Sequence, residues 1–580
     1  MSGEPNLLKN HEISHRVTIV LTNSLNQYRQ YQKRLTHFLI DSVRGYGVTA
    51  IFNQSLPCLL TLAFLVTGCM VGPDFVKPDT PLEDVWTQQE DPSIKTDVAD
   101  YREWWTVFND PALNTLIEKA YQQNLDLEVA GLRILEARAQ LGISTGSLYP
   151  QTQQASAGAT MNRFSENSPL TGPLDNFNYN YSLGFDAAWE LDFWGRFRRG
   201  VESANASLYS ALANYDDLLV SLIAEVARTY IQIRTFEQRI AFAKQNIHFQ
   251  EESQRIATAR YEGGETSELD VTQATSLLKQ TEATVPNFEA GLRQTKNALA
   301  ILLGIPPIEV QAILGPTNPI PTPPLGVTVG IPAELLQRRP DIRRAEFQAS
   351  AQSARIGIAK SDLFPSIALT GSFSFVTSDK GGRSANNADF VDLFASSSIL
   401  YSVGPQVQWP ILNYGRIKND VRAQDARFQQ FLVEYRNTVL RALQEVEDGM
   451  VGFLKAKEER AFLSESVKQY ERSVELSMLR YTEGLSTYQS VIDSQRFLTQ
   501  QQDRLASATG AVATNLIATY KALGGGWELR QGRDLVPPET QEQMQQRTDW
   551  GDLLPSKEFP DELPQPTTGQ EIKIFNKPDF

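Results

Sequence analysis

The residues Arg338–Glu346 carry the densest cluster of ionisable side chains in the chain: Arg338, Arg339, Arg343, Arg344, Asp341 and Glu346, with Pro340 among them. Such a cluster can hold a ligand, but the same residue types also start and fasten a helix. Proline suits the first helical position and a carboxylate in the first turn complements the helix dipole, and Pro340-Asp341 fits that structural reading better. Other chemistry-bearing residues are scarce. His11, His15 and His37 lie near the start, which leaves His248, followed by Phe249 in a helical pattern and read as an ordinary helix residue. There is no phosphate-cradling glycine loop, nucleophile elbow or metal-ligand cluster. An enzyme is therefore the weakest reading, and no cofactor is called for. The net charge of −14 excludes nucleic acid as a natural partner.

The two cysteines, Cys58 and Cys69, fall in or at the end of the apolar run Leu56–Val66, which is too short to span a membrane as a mature helix. It ends Leu65-Val66-Thr67-Gly68-Cys69, and small residues before a cysteine resemble the lipobox of a bacterial lipoprotein signal. That resemblance implies cleavage before Cys69 and lipidation at that residue; an ordinary signal peptide cut nearby is the alternative. Met70, in place of an aspartate, favours the outer membrane. The first 45 or so residues are polar and of mixed charge, and either a downstream start codon or an extended signal accounts for them. Removal of residues 1–68 takes away six Lys/Arg and three Asp/Glu, giving a mature charge of −14 − 3 = −17.

What must position these residues is written twice. Leu148-Tyr149-Pro150 returns as Leu363-Phe364-Pro365, and Gly195-Arg196, Arg260-Tyr261 and Leu303-Gly304 return 220 residues later as Gly415-Arg416, Arg480-Tyr481 and Leu523-Gly524. A repeated unit of strands and long helices suits a conduit better than a catalyst. The divisions are a signal region at 1–68, a lipidated N-terminal segment at 69–111, a first repeat at 112–304, a Pro-rich linker at 305–330, a second repeat at 331–526, and a tail at 527–580. The tail is rich in Pro, Gln and acidic residues and reads as largely extended or disordered. A helix is predicted from about Ala112 through Asn124 toward Ser147, with Ile331–Asp362 as its counterpart.

Four segments alternate with period two. The clearest sets Phe177, Tyr179, Tyr181, Leu183, Phe185, Ala187, Trp189, Leu191 and Phe193 against polar neighbours; its partner runs Tyr401, Val403, Pro405, Val407, Trp409, Ile411. The others are Ala155–Met161 and Ile367–Phe375. One apolar face fits a sandwich or a membrane barrel, with terminal aromatics resembling interfacial girdles. Four strands cannot enclose a water-filled lumen, so a barrel requires further copies of the chain. Each strand pair precedes a long helical hairpin. In the first, Leu212, Leu219, Val226, Ile233, Ile240 and Ile247 form one heptad row and Leu208, Tyr215, Leu222, Thr229, Phe236 and Ala243 the companion; Leu432, Val439, Val446, Phe453 and Val467 repeat much of it. Turns are predicted at Gly263-Gly264 and Glu483-Gly484, and a kink at Pro286.

From Cys69 to Trp527 the chain resembles outer-membrane factors of the TolC/OprM type, in the lipoprotein, NodT-like branch that serves resistance-nodulation-division pumps. The motifs are Gln337–Glu346, Leu363-Phe364-Pro365, Asp192-Phe193-Trp194-Gly195-Arg196 and Arg480-Tyr481-Thr482-Glu483-Gly484. The resemblance implies an α+β membrane protein: a homotrimer whose twelve-stranded barrel, four strands per chain, sits in outer-membrane lipid and continues as an α-helical periplasmic tunnel. It implies a periplasmic adaptor and an inner-membrane efflux transporter as partners. It also matches Asp493 to an aspartate ring that narrows the tunnel and attracts cations. Gln489 stands where relatives often carry an apolar residue, and Arg496 is either a salt-bridging tether or a surface arginine. The turns carrying Gly263, Gly264, Thr266 and Ser267, and Glu483, Gly484, Ser486 and Thr487, would meet the adaptor. A passive exit duct for small molecules is the leading expectation; a type I secretion duct for polypeptides and a non-transporting envelope lipoprotein are the alternatives.

Overall fold

Each strand-to-helix passage turns on a glycine in the left-handed region, Gly195 (φ 77°) and Gly415 (φ 83°), a conformation that costs other residues more. Asp192 then accepts hydrogen bonds from the amides of Phe197 and Arg198 at 3.1 and 3.0 Å. Trp194 stacks on Phe364 and donates to the Pro365 carbonyl at 2.8 Å. The Leu-Tyr-Pro and Leu-Phe-Pro motifs serve the strand feet: Trp189 donates to the Leu148 carbonyl and Trp409 to that of Leu363.

The computed structural model describes residues 70–78, 85–88, 90–95, 100–163, 165, 167, 177–324, 326–328, 338–379, 390–554, 559–560 and 563–565, all within the body Met70–Phe580. The signal region with Cys69, and residues 331–337 of the second repeat, lie outside them. The elements are α1 (Pro111–Gln123), α2 (Leu125–Gly146), β1 (Thr152–Arg163), β2 (Phe177–Leu191), α3 (Arg196–Glu262), α4 (Glu268–Glu282), α5 (Thr284–Leu302), α6 (Pro340–Ser361), β3 (Ser366–Asp379), β4 (Ile399–Gln408), α7 (Arg416–Thr482), α8 (Tyr488–Ala522) and α9 (Pro538–Arg547). Helices α3 and α7 are each 67 residues long and begin 220 residues apart, so each reaches roughly 100 Å at 1.5 Å per residue. The element order of the first half thus recurs in the second.

Strands β1 to β4 form an antiparallel sheet in that order, and Ile94-Lys95 pairs separately, in parallel, with Val327-Thr328. The β2–β3 junction joins the halves, from Tyr179↔Asp379 to Leu191↔Ile367. Register places Ala157, Leu183, Phe375 and Ile399 in one row and Ala155, Phe185, Phe373 and Tyr401 in the next. Within the strands, the aromatic and aliphatic members of the alternation therefore share a face. That face is open in the chain, with Tyr401 and Val403 each 74% exposed. Ser182, Gly184, Ser372, Ser374, Ser402 and Gly404 occupy the opposite one. β4 stops at Gln408, short of the predicted Ile411, because Pro410 has no amide to offer a ladder.

Three expectations need correction. The predicted helix from Ala112 to Ser147 is two helices. Asn124 leaves helical geometry (ψ 123°), its side chain accepts the Leu127 amide at 2.8 Å to start α2, and its amide nitrogen donates to the Leu302 carbonyl at 2.9 Å. The seam predicted through Ile247 holds only to Ile240. Farther along, the buried flank of α3 turns toward α8 and is made of Asn246, Gln250, Ser253 and Ala257, with Ile247 half-exposed. Finally, the tail is folded through residue 554. A short 3-10 helix (Trp527–Arg530) and α9 follow the second repeat, and Val536, Met544 and Leu554 pack on Leu135 of α2. The scattered apolar residues in that Pro- and Gln-rich stretch suffice because α2 supplies the rest of the core.

Pro286 acts as predicted. The return limb of the first half breaks at Ala283, between α4 and α5, whereas α8 runs unbroken for 35 residues with Ala506 at the corresponding position. A proline lacks the amide of the helix ladder and crowds the carbonyl four residues back, here Glu282.

Arg530 fastens the tail by a two-pronged ion pair to Asp216 of α3, both side chains 2% exposed. Burial pushes the Asp216 carboxyl up to about 6, against the pull of Arg530. The folded protein therefore binds this proton more tightly than the unfolded chain. That contribution is complete below the ordinary carboxylate range and is lost as pH rises through about 6. Asp216→Asn stands in for the protonated carboxyl, so its stability should equal that of the wild type near about pH 4 and exceed it by about 3 kcal/mol at neutral pH. In denaturant melts of the detergent-solubilised protein, the same variant should lack the wild-type decline in stability between about pH 4 and 6.

Candidate functional site

The hairpin tips hold the residues that repeat most closely. Gly264 (φ 75°) and Gly484 (φ 71°) close the two turns, and in each turn the carbonyl of the preceding arginine accepts the next amide: Glu265 to Arg260 at 2.8 Å and Leu485 to Arg480 at 2.7 Å. Ser267 and Thr487 occupy the N-cap positions of α4 and α8 with no side-chain capping bond. Thr266 donates to Asp270, while the Ser486 hydroxyl is buried without a partner. Leu269 and Leu485 are largely exposed beside these polar turns.

Between the tips lies a lock that the sequence reading missed. Arg260 at the end of α3 lies over the ring of Tyr481 at 4.7 Å and donates to its backbone carbonyl. Tyr481 donates its hydroxyl to Asp270 at 3.2 Å and meets the Tyr488 ring edge-on at 4.9 Å. Tyr488 shares a hydrogen bond of 2.7 Å with Ser253. Burial raises both phenols, Tyr488 to about 12, so both remain neutral hydrogen-bonding groups at physiological pH. Ala257, Ala274, Leu277, Val491 and Ile492 complete a small apolar cluster around them. The repeated Arg-Tyr dipeptide was a visible signal, but repetition alone cannot say which arginine meets which tyrosine.

Farther up, the α3–α8 seam is polar. Asn246 donates to Gln502 at 2.7 Å, and the side-chain amides of Gln250 and Gln495 are buried without partners. Arg239 pairs with Asp503 at 2.6 Å and lies 4.2 Å over Phe288. Asp493 sits on the open side of α8, accepting from Gln489 one turn earlier at 2.9 Å. Arg496 is exposed on the same helix, with no ion pair among the described residues. Gln489 and Asp493 therefore form a unit on one helix face, and Arg496 does not join it.

The charged motif is a structural hub. Arg339 is buried at the start of α6, forks onto Asp341 at 3.0 and 2.7 Å, and reaches Glu445 of α7 at 2.7 Å and the Ala522 carbonyl of α8 at 2.6 Å. Arg338 lies over Tyr101, Arg343 donates to the carbonyls of Leu563 and Pro564, Arg344 reaches Asp217, and Glu346 pairs with Lys77. The expected pinning is present, but the cap is Arg339, with Asp341 inside the first turn. The motif leaves no room for a ligand role, since nearly every charge already has a protein partner. Among the described residues no group of three or more His, Cys, Asp or Glu is placed to hold a metal. His248 is an exposed residue of α3.

A family model for outer membrane efflux proteins matches residues 116–305 and again 331–525, one match for each half. The chain belongs to the outer membrane efflux protein family. Nodulation protein T of Rhizobium leguminosarum bv. viciae is 30% identical over 466 residues, covering 80% of this chain and 92% of that protein. The solvent efflux pump outer membrane protein SrpC of Pseudomonas putida is 31% identical over 489 residues, covering 82% and 99%. Among solved structures, the outer-membrane channel OprN matches with a TM-score of 0.72 at 32% identity, covering 79% of this chain and all of that one. Membership in this family sets the location at the outer membrane.

The lock within the chain has a measurable weight. Arg260→Ala removes a cation–π contact and a charge-assisted hydrogen bond, so the tips should open more readily by about 2 kcal/mol. Hydrogen exchange should then accelerate around residues 253–274 and 478–492, with protection of the equatorial core unchanged.

Proposed function

We propose that this protein is the outer-membrane exit duct of a tripartite efflux pump, through which small molecules leave the periplasm passively. The observation that carries the reading is the sheet: four strands with one continuous aromatic and aliphatic face, a small polar opposite face, and two edges, β1 and β4, unpaired among the described residues. Such a sheet satisfies its backbone in lipid only when its edges are joined. Three copies give the twelve-stranded barrel, apolar outward and polar toward the lumen. No described helix is long and apolar enough to cross a membrane. Lipidation at Cys69 adds an anchor.

In the trimer the paired α3/α4–α5 and α7/α8 hairpins extend the lumen into the periplasm. Asp493 with Gln489 then forms the narrowing ring, and the turns at Gly263-Gly264 and Glu483-Gly484 meet a periplasmic adaptor that links the duct to an inner-membrane transporter. The polar Gln489 makes the constriction hydrophilic throughout. A polypeptide duct of the type I secretion kind is the second reading, and the similarity to a solvent efflux pump protein favours small molecules.

The repeat offsets also assign the joint between copies. They carry the β2–β3 pairing onto β4 of one copy and β1 of the next, and the shared apolar face puts Val403 opposite the Ala157, Ala159 and Met161 side of β1. Val403→Cys with Ala159→Cys should therefore yield covalent dimers and trimers on treatment with a thiol cross-linker, and a monomeric product would remove the barrel reading. For the gate, single-channel conductance of the purified protein should be small and cation-selective, and should rise in Asp493→Ala. Unchanged conductance in that variant would keep the duct and overturn the gate assignment. Absence of any conductance in both proteins would favour the non-transporting envelope role.

A further inference from the structure

The two strand feet match in backbone and differ in charge. In the first, Arg196 stands 3.8 Å from Glu190 and 3.5 Å from Asp362, and Arg198 pairs with Asp192 at 3.1 Å. Counted from the turning glycines, the second foot keeps both cations as Arg416 and Lys418 but has Pro410 for Glu190 and Leu412 for Asp192. Ser147, just before Leu148, holds the place that Asp362 holds before Leu363, so a neighbouring copy brings no carboxylate at that position. Arg416 borders the same cleft as Glu190 and Asp362, but those two carboxylates answer Arg196. Asp420 accepts from Gln424 at 3.4 Å. Arg416 and Lys418 are thus exposed, with no hydrogen bond or ion pair among the described residues. What replaces the acids is apolar: Ile411 and Leu412 are 70% and 80% exposed beside Trp409, directly after the open apolar face of β4.

The feet also differ in cover. The Val71 amide donates to the Trp194 carbonyl at 3.0 Å, and a Cβ added to Gly195 would come within 2.7 Å of Met70. The chain thus lays the segment that follows Cys69 in sequence on its first foot. At Gly415 only the Asn419 side chain comes near among the described residues, at 3.7 Å.

We infer that the second foot binds a phospholipid of net negative headgroup from the periplasm-facing leaflet. Its phosphate lies against Arg416 and Lys418, and its acyl chains run over Trp409, Ile411 and Leu412. The inference rests on the membrane placement of the sheet proposed above. A soluble anion would use the two cations and leave the apolar residues in water, whereas a lipid brings charge and hydrocarbon together at the lower edge of a lipid-facing surface. The missing carboxylates matter as much as the cations, since an acid at position 412 would engage Lys418 and repel a phosphate. The first foot retains its acids and is covered by the chain itself, so the site occurs once per copy.

Native mass spectrometry of the full-length, membrane-extracted protein loaded with phosphatidylglycerol tests the site, because one spectrum counts both copies and bound lipids. The wild type should retain up to three phosphatidylglycerol molecules per trimer, in preference to phosphatidylcholine. Arg416→Gln with Lys418→Gln should weaken that retention about 30-fold, at roughly fivefold to sixfold per cation near a membrane surface. Leu412→Asp restores the acid of the first foot with both cations in place and should weaken it too. Arg196→Gln removes a cation already paired and should leave retention unchanged; a loss there would overturn the assignment to the second foot. A trimer that holds the lipid equally well in wild type and double variant, or holds phosphatidylcholine as well, overturns the site and leaves the duct standing. Displacement of the lipid by equimolar sn-glycerol 3-phosphate would mean a soluble-phosphate site and also overturn it. A monomer whose single bound lipid is lost in the double variant would remove the trimer and keep the site, and a monomer without such a lipid would remove both.

Discussion

The guanidinium of Arg339 is the contact on which the rest of the body depends. It is buried where α6 begins, α7 passes and α8 ends, and it satisfies a carbonyl of the last turn of α8 while holding two carboxylates. Burial alone would lower its proton affinity, and Asp341 and Glu445 more than restore it, so the charge is permanent. A planar fork with several fixed donors can serve three elements at once, which an ammonium cannot. The first half has the same joint in neutral form, since Asn124 donates to the carbonyl of Leu302. Each half therefore closes on itself by tying the start of its short helix to the end of its returning helix. The long hairpins project from these two closures.

From those closures outward the character of the packing changes. Near the equator α3 is held by Leu212, Leu219, Val226 and Ile233, all fully buried in one large core with α7, α8 and the Trp104-Trp105 segment. Toward the tips the seam becomes amide on amide and hydroxyl on hydroxyl, two of the glutamines without partners, until the small aromatic cluster around Tyr481 and Tyr488. Buried area gives most of the stability of a packed helix, and unpaired buried amides subtract from it. The equator is thus the fixed part and the tips the adjustable part.

The sequence made the repeated elements, both glycine turns, the strand faces and the proline break legible because each rests on a local rule: period, left-handed glycine, missing amide. It was less informative wherever the outcome depended on a distant partner. Ile247 satisfied the heptad count but lost its place because α3 faces a different helix there. The Pro- and Gln-rich tail read as largely extended or disordered because the residue that covers Val536 and Met544, Leu135, lies far away on α2. The same limit hid the tip lock. Arg260 and Tyr481 stand 221 residues apart, and nothing local distinguishes them from Arg480 and Tyr261. Of the candidate site, Gln489 and Asp493 were readable as one face at i, i+4 spacing; Arg496, three residues on, was not tied to them by anything in the chain.

One residue makes the two otherwise matched hairpins mechanically unlike. Pro286 divides the return limb of the first into α4 and α5, whereas Ala506 leaves α8 a single rod. A jointed limb concentrates deflection at one place and leaves the segments on either side straight; an unbroken one carries displacement along its whole length. In any ring built from such pairs, compliant and stiff staves alternate. A lateral push at the tips is then absorbed at the elbow near Ala283 in one stave and transmitted to the equator by its neighbour.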